Sequence, residues 1–296
     1  MPRPQQDMKG PKPVVIKHAE SLGEGMQLAM RATLAAGQVI AEGYGRVHRV
    51  ESKGVGDLVS IVDQQADVAA TDVLADDPEH LPILSEEMSP DTDSIDADMW
   101  IIDPLDATSA FLLNAGKQYS SVLVARRRGQ QTDLGICYYP LTGECYYAVR
   151  GQGAYKDGER IQVDSSKFVG IRDAWIDMNQ YGDSRLETPF FATLRYRLRT
   201  EEGACLVTSY LPNSGQACRM AEHRNAPHLT IHDNNPTKVK QDVWDIAAPQ
   251  IIMQEAGGVF LSHDGGPVNP FMAEPFLASA SSALADQVLK LAQKEV

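Results

Sequence analysis

The chain has 296 residues, of which 43% are hydrophobic, and it carries a formal net charge of −13 with an isoelectric point near 4.9. This composition supports a sizeable core and argues against intrinsic disorder. It also argues against a nucleic acid polymer as partner, because the acidic surface would repel phosphates. A small phosphate ester is not excluded, since clustered carboxylates can bind cations that reverse the local charge.

The first predicted elements are helical. Residues 1–17 are polar and rich in proline, and we interpret them as a disordered leader. Apolar residues at three- and four-residue spacing then predict a helix over 18–42. Two glycines in "ESKGVGDLVS" interrupt this pattern. Ser60 is the expected N-cap of a second helix, with Asp63 at the spacing of a capping box.

The middle and the end of the chain mix strands with helices. Short apolar runs at "LPILSEE" and "MWIID" predict strands, and the turn-separated runs that follow predict an antiparallel meander up to about residue 160. Further on, strands and helices alternate, and Gly257 is expected to close a helix over 245–256. We predict a layered α/β (α+β) fold in a single unit, 18–296, with subdomains of about 18–160 and 161–296.

The sequence also bears on compartment. It contains no run of about 18 apolar residues, so no membrane span is expected. The four cysteines form no CxxC pair and no zinc-like spacing, so we interpret them as free thiols of a cytoplasmic protein.

Acidic residues end predicted strands or open predicted helices at several points. Each has an ordinary alternative, as a helix cap or a solvated acidic turn. However, a carboxylate at the end of a buried strand is costly to desolvate unless it is paired or binds a cation. Convergence of these groups would make a site for Mg²⁺ and a phosphate, typical of a metal-assisted phosphoryl hydrolase. The residues are Asp63, Glu86, Glu87, Asp103, Asp106 and Asp245.

Four segments resemble signatures of the inositol monophosphatase superfamily, which includes inositol monophosphatases and 3′(2′),5′-bisphosphate nucleotidases. They match in order and spacing, and they are "DLVSIVDQQAD", "ILSEE", "WIIDPLDATSAF" and "VWDIAAPQIIMQEAGG". The resemblance covers most of residues 20–290. It implies an α/β/α/β/α phosphomonoesterase with a metal cleft between two subdomains. It also implies two or three Mg²⁺ per active site, lithium sensitivity and a homodimer.

The resemblance assigns metal ligands by motif match. Glu86, Asp103 and the backbone carbonyl of Leu105 would bind a first metal. A second would be held by Asp103, Asp106 and Asp245. Glu86 would also help to hold a third, weaker metal.

The same match assigns the groups that handle water and phosphate. Asp63 and Thr108 would orient and deprotonate the attacking water, and the N–H groups of Ala107 and Thr108 would bind the phosphate. Ala107 stands where inositol monophosphatases have glycine. Alanine keeps the N–H group, so phosphate binding survives the change from glycine if φ is negative there.

The segment that would contact the alcohol departs from the family pattern. Ser214 and Gly215 in "NSGQACRM" lie where the family has a helix start near the substrate. Lys238, with Lys240 beside it, stands where inositol monophosphatases place a glutamate that contacts inositol. Lysines would suit a substrate with a second anionic group, although they have an ordinary alternative as solvated loop residues.

The motifs are compatible with several functions. Hydrolysis of an inositol monophosphate-like ester ranks first, followed by a 3′(2′),5′-bisphosphate nucleotide and then by a sugar phosphate such as fructose 1,6-bisphosphate. A relative from another class, which binds metal or phosphate without turnover, is the remaining alternative. Loss of a metal ligand would favour it, and none of the matched ligands is lost.

Overall fold

The computed structural model describes most of the chain between residues 17 and 293. The described ranges are 17–19, 21–46, 50–54, 57–87, 97–164, 170–180, 188–200, 206–208, 214–222, 228–233, 243–271 and 275–293. The predicted leader lies outside them except for Lys17, and Lys238 and Lys240 lie outside them as well. Within these ranges, no helix has the length and apolar character needed to cross a membrane.

Helices and strands mix along the chain as predicted. The helices are α1 Glu24–Gly43, α2 Ile61–Leu74, α3 Thr108–Leu112, α4 Pro189–Thr200, α5 Gln216–Met220, α6 Val243–Glu255 and α7 Ser282–Gln293. The strands of the first half are β1 Val50–Gly54, β2 Asp57–Ser60, β3 Ile83–Ser85, β4 Met99–Asp106, β5 Ser121–Arg128, β6 Gln131–Tyr139, β7 Glu144–Val149, β8 Gly153–Lys156 and β9 Glu159–Ile161. Those of the second half are β10 Trp175–Gln180, β11 Leu206–Thr208, β12 His228–Asp233, β13 Val259–Ser262 and β14 Phe276–Ser279.

The predicted meander is confirmed as the main part of a seven-stranded sheet. Its strands lie in sequence order from β3 to β9. The first pair, β3 and β4, is parallel, and each following pair is antiparallel. The parallel pair brings the ends of "LPIL" and "MWII" to the same edge of the sheet, so the acidic residues that follow them become neighbours.

The second half forms a five-stranded mixed sheet in the order β11-β10-β12-β14-β13. One core cluster joins α1 and α2 to the seven-stranded sheet, and another packs α5 and α6 between the two sheets. A third lies between the five-stranded sheet and the helices α4 and α7. The predicted α/β/α/β/α layering is confirmed, whereas the division into two subdomains stays a prediction.

Three local expectations need correction. The predicted helix over 18–42 is interrupted: residues 17–19 are helical, but α1 begins only at Glu24, because Gly23 at φ 115° turns the chain before it. The glycine-containing segment after it, expected only as a break, pairs as the antiparallel strands β1 and β2. Strand β4 continues through Pro104 to Asp106 with a shifted register after Asp103, and Ala107 precedes helix α3, so the alternative of a helix cap does not hold for Asp106.

Strand alternation decides which way the first acid of β4 points. Trp100 and Ile102 lie in the core cluster of α1 and α2, and Met99 and Ile101 lie in that of α6. Because successive side chains point to opposite faces, Asp103 follows Ile101 onto the α6 side. The fold thereby aims this carboxylate at the helix that carries Asp245.

Helix α6 approaches the sheet closely at Gly135 in β6. A Cβ atom at Gly135 would lie 2.6 Å from Cγ2 of Ile251 and 2.9 Å from Cα of Ala248. One of these neighbours is backbone, so the helix could not make room by rotating a side chain. The absence of a side chain at Gly135 therefore sets the height of α6 above the sheet.

We expect Gly135→Ala to lower the free energy of unfolding by about 1–3 kcal/mol, because the added methyl group overpacks this contact. Lifting α6 would also move Asp245 away from Asp103 and weaken the affinity for Mg²⁺. Urea unfolding and calorimetric Mg²⁺ titration measure the two effects. A variant with the stability and Mg²⁺ affinity of the parent would show that the contact does not set the position of the helix.

Candidate active site

Three carboxylates from two elements converge between the layers. Asp103 and Asp106 come from β4, Asp245 from the first turn of α6, and one ligand oxygen from each lies within 4.8 Å of the others. Asp103 is only 1% exposed and Asp106 only 4%. Oxygen donors at this spacing are those that hard divalent cations prefer, so the donor set fits a magnesium site.

The electrostatics of the cluster agree with this fit. Burial raises the pKa of Asp103 well above its usual range, and repulsion from neighbouring carboxylates raises it further. Those neighbours are, in decreasing effect, Glu86, Asp245 and Asp106. Glu86 follows β3, and its backbone N–H donates to the Ile102 carbonyl across the parallel pair, at 3.2 Å. A divalent cation would remove the repulsion that these groups exert on one another.

Asp106 is held by hydrogen-bond donors from two other parts of the chain. The hydroxyl of Ser121, the first residue of β5, donates to Oδ2 at 2.6 Å. The backbone N–H groups of Ser214 and Gly215 donate to Oδ1 and Oδ2, each at 3.1 Å. Burial raises the pKa of Asp106, and these donors counteract the rise. They also fix the direction of the carboxylate.

Ser214 and Gly215 thus lie against the acidic cluster. The Ser214 hydroxyl also donates to Oδ1 of Asp245 at 2.8 Å, so this residue links the two carboxylates. A Cβ atom at Gly215 would lie 2.5 Å from the Tyr139 hydroxyl and 2.8 Å from the Ser121 hydroxyl. Only glycine lets the backbone approach Asp106 this closely. A contact of these residues with substrate stays a prediction.

Helix α5, which follows Gly215, is anchored to the sheet by Arg219. Its guanidinium lies over the Tyr139 ring, 3.8 Å from the centroid, and one nitrogen pairs with Glu144 at 2.8 Å. Another nitrogen donates to the Gln118 carbonyl at 2.6 Å. These contacts keep the N–H groups of the preceding turn directed at Asp106. Sequence reasoning missed both Arg219 and Ser121, because neither lies in a matched motif.

Asp63 and Thr108 meet beside the cluster, and the two oxygens of Asp63 have different partners. Oδ2 accepts the backbone N–H and the hydroxyl of Ser60, at 2.8 and 2.5 Å, which completes the predicted capping box. Oδ1 accepts the Thr108 hydroxyl at 2.6 Å. Burial raises the pKa of Asp63, and the hydrogen bonds from Ser60 and Thr108 oppose that rise.

Ala107 adopts the left-handed conformation, with φ 65° and ψ 49°. The condition of a negative φ is therefore not met, although alanine keeps the N–H group that a phosphate contact needs. The chain must reverse sharply between the end of β4 and the first turn of α3, and this is a geometry that glycine adopts without strain. Its carbonyl accepts the Phe111 N–H at 3.1 Å, so the alanine still begins the helix.

The remaining predicted residues are placed as follows. The Leu105 carbonyl, a predicted metal ligand, accepts the Thr108 hydroxyl at 3.1 Å, and the Leu105 N–H donates to Oδ1 of Asp103 at 3.0 Å. Glu87 is half-buried beside Glu86. Lys238 lies outside the described residues, so its proposed contact with substrate stays a prediction.

A layered fold that gathers these carboxylates beside the hydrogen-bonded pair of Asp63 and Thr108 defines a phosphoric monoester hydrolase. The chain belongs to the inositol monophosphatase family, whose family model matches residues 22–296. The predicted family is therefore confirmed.

Two similar curated relatives come from bacteria. A protein of Aquifex aeolicus called fructose-1,6-bisphosphatase/inositol-1-monophosphatase is 29% identical over 93% of this chain and 97% of its own length. A protein of Haemophilus influenzae called Nus factor SuhB is 30% identical over 89% of this chain and 94% of its own. Both matches extend over nearly the whole of each protein.

Solved structures agree on the fold. The inositol monophosphatase of Thermotoga maritima superposes with a TM-score of 0.72 and 25% identity, covering 90% of this chain and 96% of its own. A structure called IMPase/NADP phosphatase complexed with Mg²⁺ and phosphate gives a TM-score of 0.69 at 22% identity, covering 87% and 89% of the two chains.

The neighbouring serines at the start of β5 allow a matched test. We expect Ser121→Ala to weaken Mg²⁺ binding about tenfold, because Asp106 loses a donor that orients it. Ser120 is equally buried, and its hydroxyl has no hydrogen-bond partner among the described residues. Ser120→Ala is therefore the control and should bind Mg²⁺ like the parent. Equal affinities of both variants in calorimetric titration would contradict the role given to Ser121.

The left-handed conformation of Ala107 predicts steric strain, which a substitution can test. We expect Ala107→Gly to raise the free energy of unfolding by up to about 1 kcal/mol, because it removes the steric cost of a Cβ in this conformation. The control, Ala110→Gly, lies within helix α3 and should lower it by about 1 kcal/mol or more. Urea unfolding compares the two. A loss of stability at both positions would show that Ala107 carries no strain.

Proposed function

We propose that this phosphoric monoester hydrolase uses Mg²⁺ to hydrolyse a small, inositol monophosphate-like ester by direct attack of water. The observation that carries the proposal is the convergence of Asp103, Asp106 and the half-buried Asp245 beside the pair formed by Asp63 and Thr108. Membership of the family supports it, as does the relative solved with Mg²⁺ and phosphate. The name of the Aquifex relative supports both an inositol phosphate and a sugar phosphate as the substrate class.

The carboxylates would divide between two or three cations. We assign Glu86, Asp103 and the Leu105 carbonyl to the first, and Asp103, Asp106 and Asp245 to the second, with Glu86 shared by a weaker third. Once bound, the cations would neutralise the phosphate oxygens, lower the pKa of a bound water and stabilise the leaving alkoxide. Asp103, the carboxylate assigned to two cations, is the most enclosed of the carboxylate ligands.

Side chains of the protein would accept the proton of the attacking water. The Thr108 hydroxyl donates to Oδ1 of Asp63, so the lone pairs of Thr108 are available to accept a hydrogen bond from water. In the proposed step, water passes its proton to Thr108 as Thr108 passes its own to Asp63. The raised pKa of Asp63 suits the accepting role, because a more basic carboxylate holds a proton more readily.

The start of helix α3 would hold the phosphate. The first N–H groups of a helix have no partner within it, and here they belong to the turn that follows Asp106. We assign the N–H groups of Ala107 and Thr108 to two phosphate oxygens. The left-handed Ala107 turns the backbone here, so its conformation is part of the proposed phosphate site.

The residues that would contact the alcohol part of the ester come last. Ser214, Gly215 and Lys238 are proposed to line the leaving-group side. The positive charge of Lys238 favours a substrate with a second anionic group, which keeps a 3′(2′),5′-bisphosphate nucleotide and fructose 1,6-bisphosphate as alternatives. A relative without turnover is disfavoured, since every proposed metal ligand keeps an oxygen donor.

Phosphate release from three esters tests the reaction and ranks the substrates. The esters are inositol 1-phosphate, 3′-phosphoadenosine 5′-phosphate and fructose 1,6-bisphosphate, each assayed with Mg²⁺ and with EDTA. We expect release from inositol 1-phosphate to be the fastest and to stop in EDTA. Faster release from either bisphosphate would show that a bisphosphate, and not an inositol monophosphate, is the preferred substrate. Absence of release from all three would count against the proposed function.

Asp103→Asn tests the shared ligand. We expect it to lower kcat/KM by at least about 10³-fold, because it removes charge from a group assigned to two cations. Asp98→Asn is the control, since Asp98 lies just before β4 and pairs with Arg128 at 3.0 Å. It should stay within about twofold of the parent. Activity of Asp103→Asn within about tenfold of the parent would contradict the assigned role.

A further inference from the structure

A basic cleft lies apart from the acidic cluster. It has a volume of about 370 Å³ and lies between the end of β5, the start of β6, the second half of α6 and the segment Pro267–Phe271. The pairing of β4 with β5 sets Asp103 opposite Leu123, four residues before Arg127 of the cleft. At about 3.4 Å per residue, this places Arg127 about 14 Å along the strand from the position opposite Asp103.

The same separation holds along the helix. Asp245 lies in the first turn of α6, whereas Gln250 and Gln254 line the cleft from the following turns. At 1.5 Å per residue, Gln254 lies about 13 Å along the helix axis from Asp245. The arginines of the cleft therefore lie away from the acidic cluster, although its lining also includes Ile101 and Gln250, from the two elements that carry Asp103 and Asp245.

The charge of the cleft is opposite to that of the protein. The chain carries a net charge of −13, yet Arg127 and Arg150 line this cleft, and none of its described lining residues is an aspartate or a glutamate. Side-chain amides supply further polar groups, from Gln130, Gln131, Gln250, Gln254 and Asn269. Apolar contact surface comes from Ile101, Pro267, Val268, Pro270 and Phe271.

Each of the two guanidinium groups donates to a backbone carbonyl of the β5–β6 hairpin. Arg127 is the cross-strand partner of Thr132, and Arg150 donates from Nε and Nη2 to the Thr132 carbonyl at 2.9 and 2.6 Å. Arg127 is buried, donates from Nε to the Gly129 carbonyl at 2.7 Å, and lies over the Phe271 ring, 4.2 Å from the centroid. Both arginines are thus positioned before any ligand arrives.

We propose that this cleft binds a small organic oxyanion, a carboxylate or a phosphate with an apolar body, at a site separate from the catalytic one. A planar guanidinium matches the two oxygens of a carboxylate or a phosphate. The volume falls in the lower part of the range of small-molecule sites, about 300–1,000 Å³. The mixture of apolar lining and few charged groups is also typical of such sites.

Binding of simple anions to the full chain tests this site without reference to catalysis. The probes are phenylphosphonate, which has no ester bond to hydrolyse, and benzoate, with neutral benzamide for comparison. Titration calorimetry in EDTA leaves the carboxylates of the acidic cluster free to repel anions. We expect one equivalent of phenylphosphonate or benzoate to bind with a Kd of about 1 mM or lower, and benzamide to bind at least about tenfold more weakly.

Variants locate the binding. Arg150 is exposed, so Arg150→Gln should keep the fold and weaken anion binding at least about tenfold. Arg126→Gln is the matched control, because Arg126 neighbours Arg127 on β5 but points to the other face, where it lies over Trp100. It should bind within about twofold of the parent. Three results would overturn the proposal: no anion binding at about 10 mM, equal binding of benzamide, or parent-like binding by Arg150→Gln.

Discussion

The mutual repulsion of three closely spaced carboxylates, two of them buried, is the constraint around which this structure is arranged. Ligand oxygens of Asp103, Asp106 and Asp245 lie within 4.8 Å of one another, and Asp103 and Asp106 are almost fully shielded from water. Such an arrangement is costly unless donors and cations compensate for it. The donors are supplied from three directions, by the start of β5, by the turn before α5 and by the backbone of β4 itself. Because these groups come from distant parts of the chain, the cluster exists only when the layers are assembled.

The layers bring the groups together through backbone proximity. The parallel pairing of β3 with β4 sets Glu86 beside the cluster, and Gly135 allows α6 to lie close enough to deliver Asp245. Gly215 does the same for the turn that holds Asp106. Two glycines with ordinary φ values thus matter for the space they leave, whereas the conformation of the backbone matters at Ala107. The acidic cluster therefore depends on the close packing of helices and strands whose other buried side chains are mostly apolar.

The sequence was sufficient to predict the layers, the meander and the acids that converge, because hydrophobic periodicity and the order of the motifs are local signals. It was not sufficient where a feature depends on distant contacts. Ser121 and Arg219 belong to no motif, and only the folded chain shows that one orients Asp106 and the other anchors α5. The sequence could not predict the conformation of Ala107 for a similar reason, since the connection from β4 to α3 determines φ there against the preference of alanine. The basic cleft combines residues from β5, β6, α6 and a following loop, and no single segment of the sequence announces it.

The two oxygens of Asp63 have a consequence for how the site can change. One oxygen closes the first turn of α2, and the other accepts from Thr108. A substitution here therefore loosens a helix end and disturbs the site in the same event. A substitution at Asp63 would lower the amount of folded protein as well as the catalytic rate. Selection for stability would therefore retain the aspartate even in a related protein without catalytic activity. The presence of this aspartate in a related protein is therefore weak evidence that the protein is active. The presence of Thr108 is stronger evidence, because its hydroxyl caps no helix.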